Sequence, residues 1–285
     1  MNDRIGQART LLEAIAAQEQ ADAAIDPQHG TRWWIGDEVL PTAVVLLHGL
    51  TNCPPQYDRL ARELYARGHA VIVLRMPYHG YRDRMTDAIA ALRARDLEAA
   101  ALQAVLIAAL CGERVVVAGI SVGATLAGWL AARTRIDVGI GVAPFCGLRE
   151  LRAGLNDALG GLLRAAPNVF GWWDPREKEA QPPPHGYPRF ATRSLGESLR
   201  ISTELAQAPP GPHARRAVLV LNANDPVVNN PHAARRFDAL RPLGVEVEHV
   251  VLQGLPAIHD ILEPAIPQAQ PELVYPALID LIEGQ

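Results

Sequence analysis

Six short apolar runs, separated by helical patterns, constrain this chain more than any other feature. They cover residues 43–47, 70–74, 115–118, 136–142, 217–221 and 245–252, and they are rich in Val, Ile and Leu. Runs of this kind, mostly without polar alternation, suit strands buried on both faces, which is the habit of parallel sheets. Between them, residues 57–67 place Leu60, Leu64 and Tyr65 at helical spacing, and Gly68 supplies a stop. A long helix is expected within 83–110, beginning near Thr86 or Asp96, and another over 122–133. An amphipathic helix over 3–20 precedes the pattern, with Ile5, Ala8, Leu11, Leu12, Ile15 and Ala16 on its apolar side. Residues 31–35 form a candidate short strand, and 277–282 a closing helix. Repeated alternation of strand and helix predicts an α/β fold: a mostly parallel sheet with helices on both faces.

The alternation fails once, between the fourth and fifth runs, where some seventy residues intervene. Ordinary connections in such folds take about 2–6 residues. The segment has its own character. Leu148, Leu151, Leu155, Leu159 and Leu162 step by three and four over 147–165. Phe170-Gly171-Trp172-Trp173 and Pro182-Pro183-Pro184 follow, and a helix is expected over 192–206. The division that follows is a core domain of residues 1–144 and 211–285, and an inserted helical cap of residues 145–210. Ligands of open parallel sheets bind at the carboxyl ends of strands, where an insertion can serve as a lid.

Composition removes several function classes. The chain has 285 residues, 27 basic against 31 acidic, and a formal charge of −4. No basic face is implied, so no nucleic-acid partner is expected. Cys53, Cys111 and Cys146 share no metal-binding spacing, so neither a structural zinc site nor a disulfide framework is expected. Residues 115–132 carry no charge, but Gly119, Ser121, Gly123, Thr125 and Gly128 interrupt them. A strand followed by a buried helix explains that stretch better than a bilayer span. No signal-peptide core is found in the first twenty residues, so a cytoplasmic location without stable membrane insertion is expected.

Gly119-Ile120-Ser121-Val122-Gly123 is G-x-S-x-G, and it joins an expected strand directly to an expected helix. A very sharp turn there needs small neighbours two positions to either side and pushes the serine hydroxyl out above the sheet. A serine hydroxyl needs a base to act as a nucleophile. Of nine histidines, His259 lies in a loop after the last strand. His249 falls inside a strand, and His213 and His232 fall in polar, exposed surroundings. The base needs a carboxylate to fix its tautomer. Asp225, in Asn224-Asp225-Pro226 after the fifth strand, is placed to supply it, although a plain Asx turn would also account for an aspartate there. Asp260 is adjacent to His259, but neighbouring side chains diverge. Backbone N–H groups of Leu50, in His48-Gly49-Leu50-Thr51, and of Val122 are candidates to converge on an oxyanion. His48 itself is expected to hold that loop by a hydrogen bond.

These motifs resemble the α/β-hydrolase superfamily, and within it the carboxylesterase and monoacylglycerol-lipase-like serine hydrolases. The resemblance rests on 44–51, 119–123, 224–227 and 258–260, in the family's order. It implies Ser121 as nucleophile, His259 as base, Asp225 as its orienter, and Leu50 and Val122 as oxyanion donors. It also implies an ester substrate, no cofactor and no metal, and a cap over the acyl pocket formed by the insertion. Two departures stand out. Pro77-Tyr78-His79-Gly80 replaces the more usual Pro-Gly-His-Gly, and Cys53 is an unusual occupant of the oxyanion loop. The cap's Leu148, Leu151, Leu155, Leu159, Phe170, Trp172 and Trp173 predict either an apolar acyl pocket or mere packing of the cap. Arg149, Arg152 and Arg164 are expected on the solvated side of the cap helix, and His185 in a turn. A thioesterase, an acyltransferase, a carbon–carbon bond hydrolase or a non-catalytic ligand-binding fold stay open as alternatives.

Overall fold

The computed structural model describes residues 3–284. Its centre is a sheet of seven strands: β1 (Arg32–Trp34), β2 (Leu40–Leu47), β3 (Ala70–Leu74), β4 (Gly112–Ile120), β5 (Val138–Val142), β8 (Arg216–Asn222) and β9 (Glu246–Leu252). They lie in the order β1-β3-β2-β4-β5-β8-β9. Only β1 runs antiparallel, paired with β3 at one edge. Strands β6 (Phe170–Trp172) and β7 (Arg189–Ala191) form a separate antiparallel ribbon.

The expected double-sided burial is met in β2, β3, β4, β5 and β8, but not in the edge strand β9, where Val247 is buried while Glu246, His249 and Val251 are exposed. Successive strand residues point to opposite faces. Val45, Leu47, Ile72 and Val117 enter one apolar core, while Val44, Leu46, Val71 and Val116 enter the other. The first core is roofed by α1 (Arg4–Ala21), α3 (Ala94–Cys111), α4 (Val122–Ala131), α6 (Thr192–Leu205) and α7 (Asn230–Asp238). The second is roofed by α2 (Asp58–Ala66) and α8 (Pro271–Glu283). The uncharged stretch 115–132 divides at Ser121 into β4 and α4, and no helix among the described residues is long and apolar enough to cross a membrane.

Several element bounds differ from the sequence pattern for local reasons. Helix α3 starts at Ala94 because Asp96 accepts from the N–H of Arg93 and caps it there. Helix α5 (Ala153–Ala165) starts later than the leucine spacing implies, since Asn156 binds the backbone of Leu148 and Leu151 and holds 147–152 as a loop. Helix α8 starts at Pro271, six residues before its expected start, and contains Pro276. Helix α7 and the β6–β7 ribbon were not legible as periodic patterns. Within the long connection, α6 packs on α4 and α5.

Candidate active site

The turn between β4 and α4 is as sharp as the glycines imply. Ser121 sits at φ 56° and ψ −115°, a conformation that costs a non-glycine residue about 1–3 kcal/mol. A Cβ on Gly119 would lie 2.4 Å from the backbone of Gly123, and one on Gly123 would lie 2.0 Å from the carbonyl oxygen of Leu47. Both positions are therefore closed to any side chain. The Ser121 carbonyl is held by the N–H groups of Thr125 and Phe145, each at 3.0 Å.

Three expected residues meet at the carboxyl ends of β4, β8 and β9. The Ser121 hydroxyl donates to His259 Nε2 at 2.8 Å, and His259 Nδ1 donates to Asp225 Oδ2 at 2.8 Å. The carboxylate accepts only, which assigns the imidazole proton to Nδ1. The other oxygen of Asp225 accepts the N–H groups of Val227 and Val228. The Asx-turn bonding and the contact with His259 thus coexist on one fully buried side chain. Burial opposes charge on His259, but the Asp225 carboxylate, its hydrogen bond and Asp260 outweigh it and hold the imidazole above its ordinary pKa. Burial likewise pushes Asp225 up, and His259 with the two backbone donors brings it below the usual carboxylate value.

Sequence reasoning missed what fastens the histidine loop. Asn222 donates to the carbonyls of Pro256 and Ile258, and Asn224 to that of Leu255. Two asparagines flanking the last turns of β8 were visible, but their partners lie some thirty residues away. Arg149 is exposed as expected, but it precedes α5 rather than sitting on it, and it donates to the Asp225 carbonyl at 2.6 Å. His232, expected in exposed surroundings, is buried on α7 beside Asp157, and His213 binds the Ala132 carbonyl.

The loop after β2 is fixed as a rigid peptide. His48 is buried and held neutral, since burial drives its pKa well below the ordinary value. Its Nδ1 donates to the Gly49 carbonyl at 2.9 Å and its Nε2 accepts the N–H of Met76 at 3.1 Å. The N–H of Asn52 also donates to that Gly49 carbonyl. A trans peptide with its C=O pinned has its N–H pinned in the opposite direction, and the N–H of this peptide belongs to Leu50. Gly49 packs close to Ser121, whose Cβ would be 3.7 Å from one built on the glycine. Val122 is the first residue of α4, where backbone N–H groups lack intrahelical acceptors. Tyr78 takes the left-handed conformation, φ 65°, that glycine more often fills, and its carbonyl accepts the Tyr187 hydroxyl. Cys53 is a buried small side chain whose thiol donates to the His185 carbonyl.

A cleft of about 520 Å³ opens above Ser121. Of the cap residues expected to face it, Trp173 lines it; Leu159 and Phe170 pack on the core and Leu155 is exposed. The opposite wall comes from Pro226, Val227, Ile258, Ile266 and Pro267. The cap wall is mainly the irregular stretch 173–187, with Gln181, Pro182, Pro183 and Tyr187. It is fastened from the core. Arg84 donates to the carbonyls of Glu179, Gln181, Pro183 and Gly186, and Trp173 Nε1 donates to Thr51 Oγ1 at 2.8 Å. Asp174, Glu177 and Asp260 line the cleft, and no basic side chain other than His259 does among the described residues.

The family model described as "Alpha/beta hydrolase family" matches residues 44–257. The chain belongs to this family. Among solved structures it is similar to that of the metagenome-derived lipolytic enzymes LipS and LipT, at 20% identity and a TM-score of 0.68, over 92% of this chain and all of the other. It is also similar to a monoacylglycerol lipase of Paleococcus ferrophilus at 17% identity, with a TM-score of 0.65 over 89% of this chain and 99% of that one. A soluble variant of monoglyceride lipase from Saccharomyces cerevisiae, bound to a substrate analogue, matches at 15% identity and a TM-score of 0.64, over 89% and 90%. At such identities the likeness is one of α/β-hydrolase fold. No curated protein sequence matches this chain.

Proposed function

We propose that this α/β hydrolase cleaves a carboxylic ester through an acyl-enzyme on Ser121. The observation that supports this most is the unbroken chain from the Ser121 hydroxyl through His259 to buried Asp225, with both links at 2.8 Å. In this reading Ser121 Oγ attacks the ester carbonyl as His259 Nε2 takes its proton. Asp225 stabilises the imidazolium. The oxyanion accepts the N–H groups of Leu50 and Val122, each such donor being worth about 10²–10³ in rate. Collapse releases the alcohol, protonated by His259, and water attacks the acyl group with His259 again the base.

The substrate is a small neutral ester with an apolar arm. Support for the apolar arm comes from Val227, Ile258 and Ile266 in the cleft wall. Support for neutrality comes from the three lining carboxylates, which repel an anion. Segment 145–210 serves as the cap that presents Trp173 and 181–187 to this substrate. The test is stopped-flow hydrolysis of 4-nitrophenyl esters of increasing chain length, beside the matching thioesters and a succinyl half-ester. The expected result is a burst of about one equivalent of nitrophenol per site, faster turnover of acyl groups longer than acetyl, and poor use of the succinyl ester. Turnover of the thioesters alone would replace this reading with a thioesterase.

A further inference from the structure

Beside the Ser121–His259–Asp225 chain runs a second, separate polar network that the proposed chemistry does not use. It begins at the oxyanion loop, where the Gly49 N–H donates to Gln56 Oε1 at 3.1 Å. The amide nitrogen of the same side chain donates to Asp260 Oδ2 at 2.6 Å. Asn52 Nδ2 donates to both Asp260 Oδ2, at 3.3 Å, and Glu263 Oε2, at 3.1 Å. His185, from the cap, meets Glu263 Oε2 at 2.9 Å. Gln56 is fully buried, and Asn52 and Glu263 nearly so.

The bonding leaves little freedom in residue choice. Gln56 must accept from a backbone N–H at one end and donate to a carboxylate at the other, which an amide does and neither an ionised Glu nor a Leu can. Asp260 accepts twice on Oδ2 and takes the Leu262 N–H on Oδ1. The link joins Gly49, the residue before Leu50, to the residue after His259. Gly49 is thus held at its N–H by Gln56 and at its C=O by His48 and Asn52.

Resting on the hydrolase reading above, we propose that Gln56 and Asp260 are a positioning pair, which sets the oxyanion peptide and the His259 imidazole at a fixed separation. Neither residue touches the reacting atoms. Their effect falls on the transition state, in which both the donor and the base act at once. A displacement of about 1 Å there costs up to about 100-fold in rate. Asp260 adds an electrostatic effect, since its negative charge favours the imidazolium. The groups that surround its carboxyl are His259 and Glu263 on the same loop, His185 behind Glu263, Tyr57 after the oxyanion loop, and Tyr275 on α8 under Arg59.

The experiment compares wild type with Gln56→Met, Gln56→Glu, Asp260→Asn and the double variant Gln56→Glu/Asp260→Asn. Each is measured per active site, counted by fluorophosphonate labelling of Ser121. Gln56→Met is expected to lower kcat about 10–100-fold with KM within about threefold. Gln56→Glu sets two carboxyl groups against each other and is expected to fall at least as far. Adding Asp260→Asn restores a donor–acceptor pair and is expected to recover most of that loss, a rescue that a generally weakened fold would not give. Asp260→Asn alone keeps an acceptor for Gln56 and removes the charge, so the acidic limb of kcat/KM against pH moves to lower pH. Wild-type kcat in Gln56→Met, no rescue in the folded double variant, or an unmoved acidic limb in Asp260→Asn overturns the proposal. A wild-type protein in which Ser121 does not label overturns the hydrolase reading first, and the pair with it.

Discussion

The two walls of the cleft are held by different physics. The rim that carries Ser121, Asp225 and His259 grows from β4 and β8, whose residues are buried on both faces, and from the loop after the edge strand β9. The cap stretch 173–187 has a single turn of 3-10 helix and is held by hydrogen bonds to its carbonyls, four of them from Arg84. Apolar burial is non-directional and sums over many residues. A guanidinium clamp is directional and rests on one residue. The proposed reaction chemistry is therefore built into the most redundant part of the molecule, and the proposed substrate fit into a part that one substitution can release.

Four experiments bear on that contrast. On the rim side, Ser121→Ala is expected to lower kcat by about 10⁵–10⁶-fold and leave melting unchanged, since the side chain supports no packing. Asp225→Asn is expected to cost about 10⁴-fold by favouring the wrong imidazole tautomer. On the cap side, Arg84→Lys replaces a planar fork that reaches four carbonyls with a point charge. A several-fold rise in KM with kcat nearly kept is expected in steady-state assays. An equal fall in kcat would show that the cap wall also orders the rim. The smallest effect is one of stability. The Asp260 carboxyl has its pKa pushed up to about 6, by burial first and by Glu263 second. A carboxyl raised in the folded state adds stability below its unfolded pKa, and that contribution is lost as pH rises through about 6. Comparing the melting of wild type and Asp260→Asn from pH 4 to 8 is expected to show that loss in wild type only, at most about 3 kcal/mol.

A pH profile joins the two sides. Because His259 is held above its ordinary pKa and must be neutral to serve as the proposed base, kcat/KM is expected to fall as pH drops through a value above the ordinary imidazole pKa.

The same contrast explains what could be read without coordinates. Strands β2 to β5 and β8 announce themselves because double-sided burial leaves nearly uninterrupted apolar runs, and Ser121 because its turn admits only glycine at 119 and 123. His259 and Asp225 follow from their places after strands. The cap wall gives no such signal. Pro182, Pro183 and Gln181 line the cleft through backbone paths that no periodicity encodes, and their clamp, Arg84, lies about a hundred residues away. The leucines of 148–162 carried the visible pattern, yet those that pack do so on the core. Asn52, Gln56, Asn222 and Glu263 were hidden for the same reason: a polar side chain bridging distant loops looks in sequence like any surface residue.

Intact-mass and peptide-level mass spectrometry after treatment with a fluorophosphonate decides whether Ser121 is a nucleophile. The account predicts one covalent adduct per chain, on Ser121, absent in Ser121→Ala and slow to form in Asp225→Asn. Ester turnover by a protein that carries no adduct, or carries it on another residue, would contradict it.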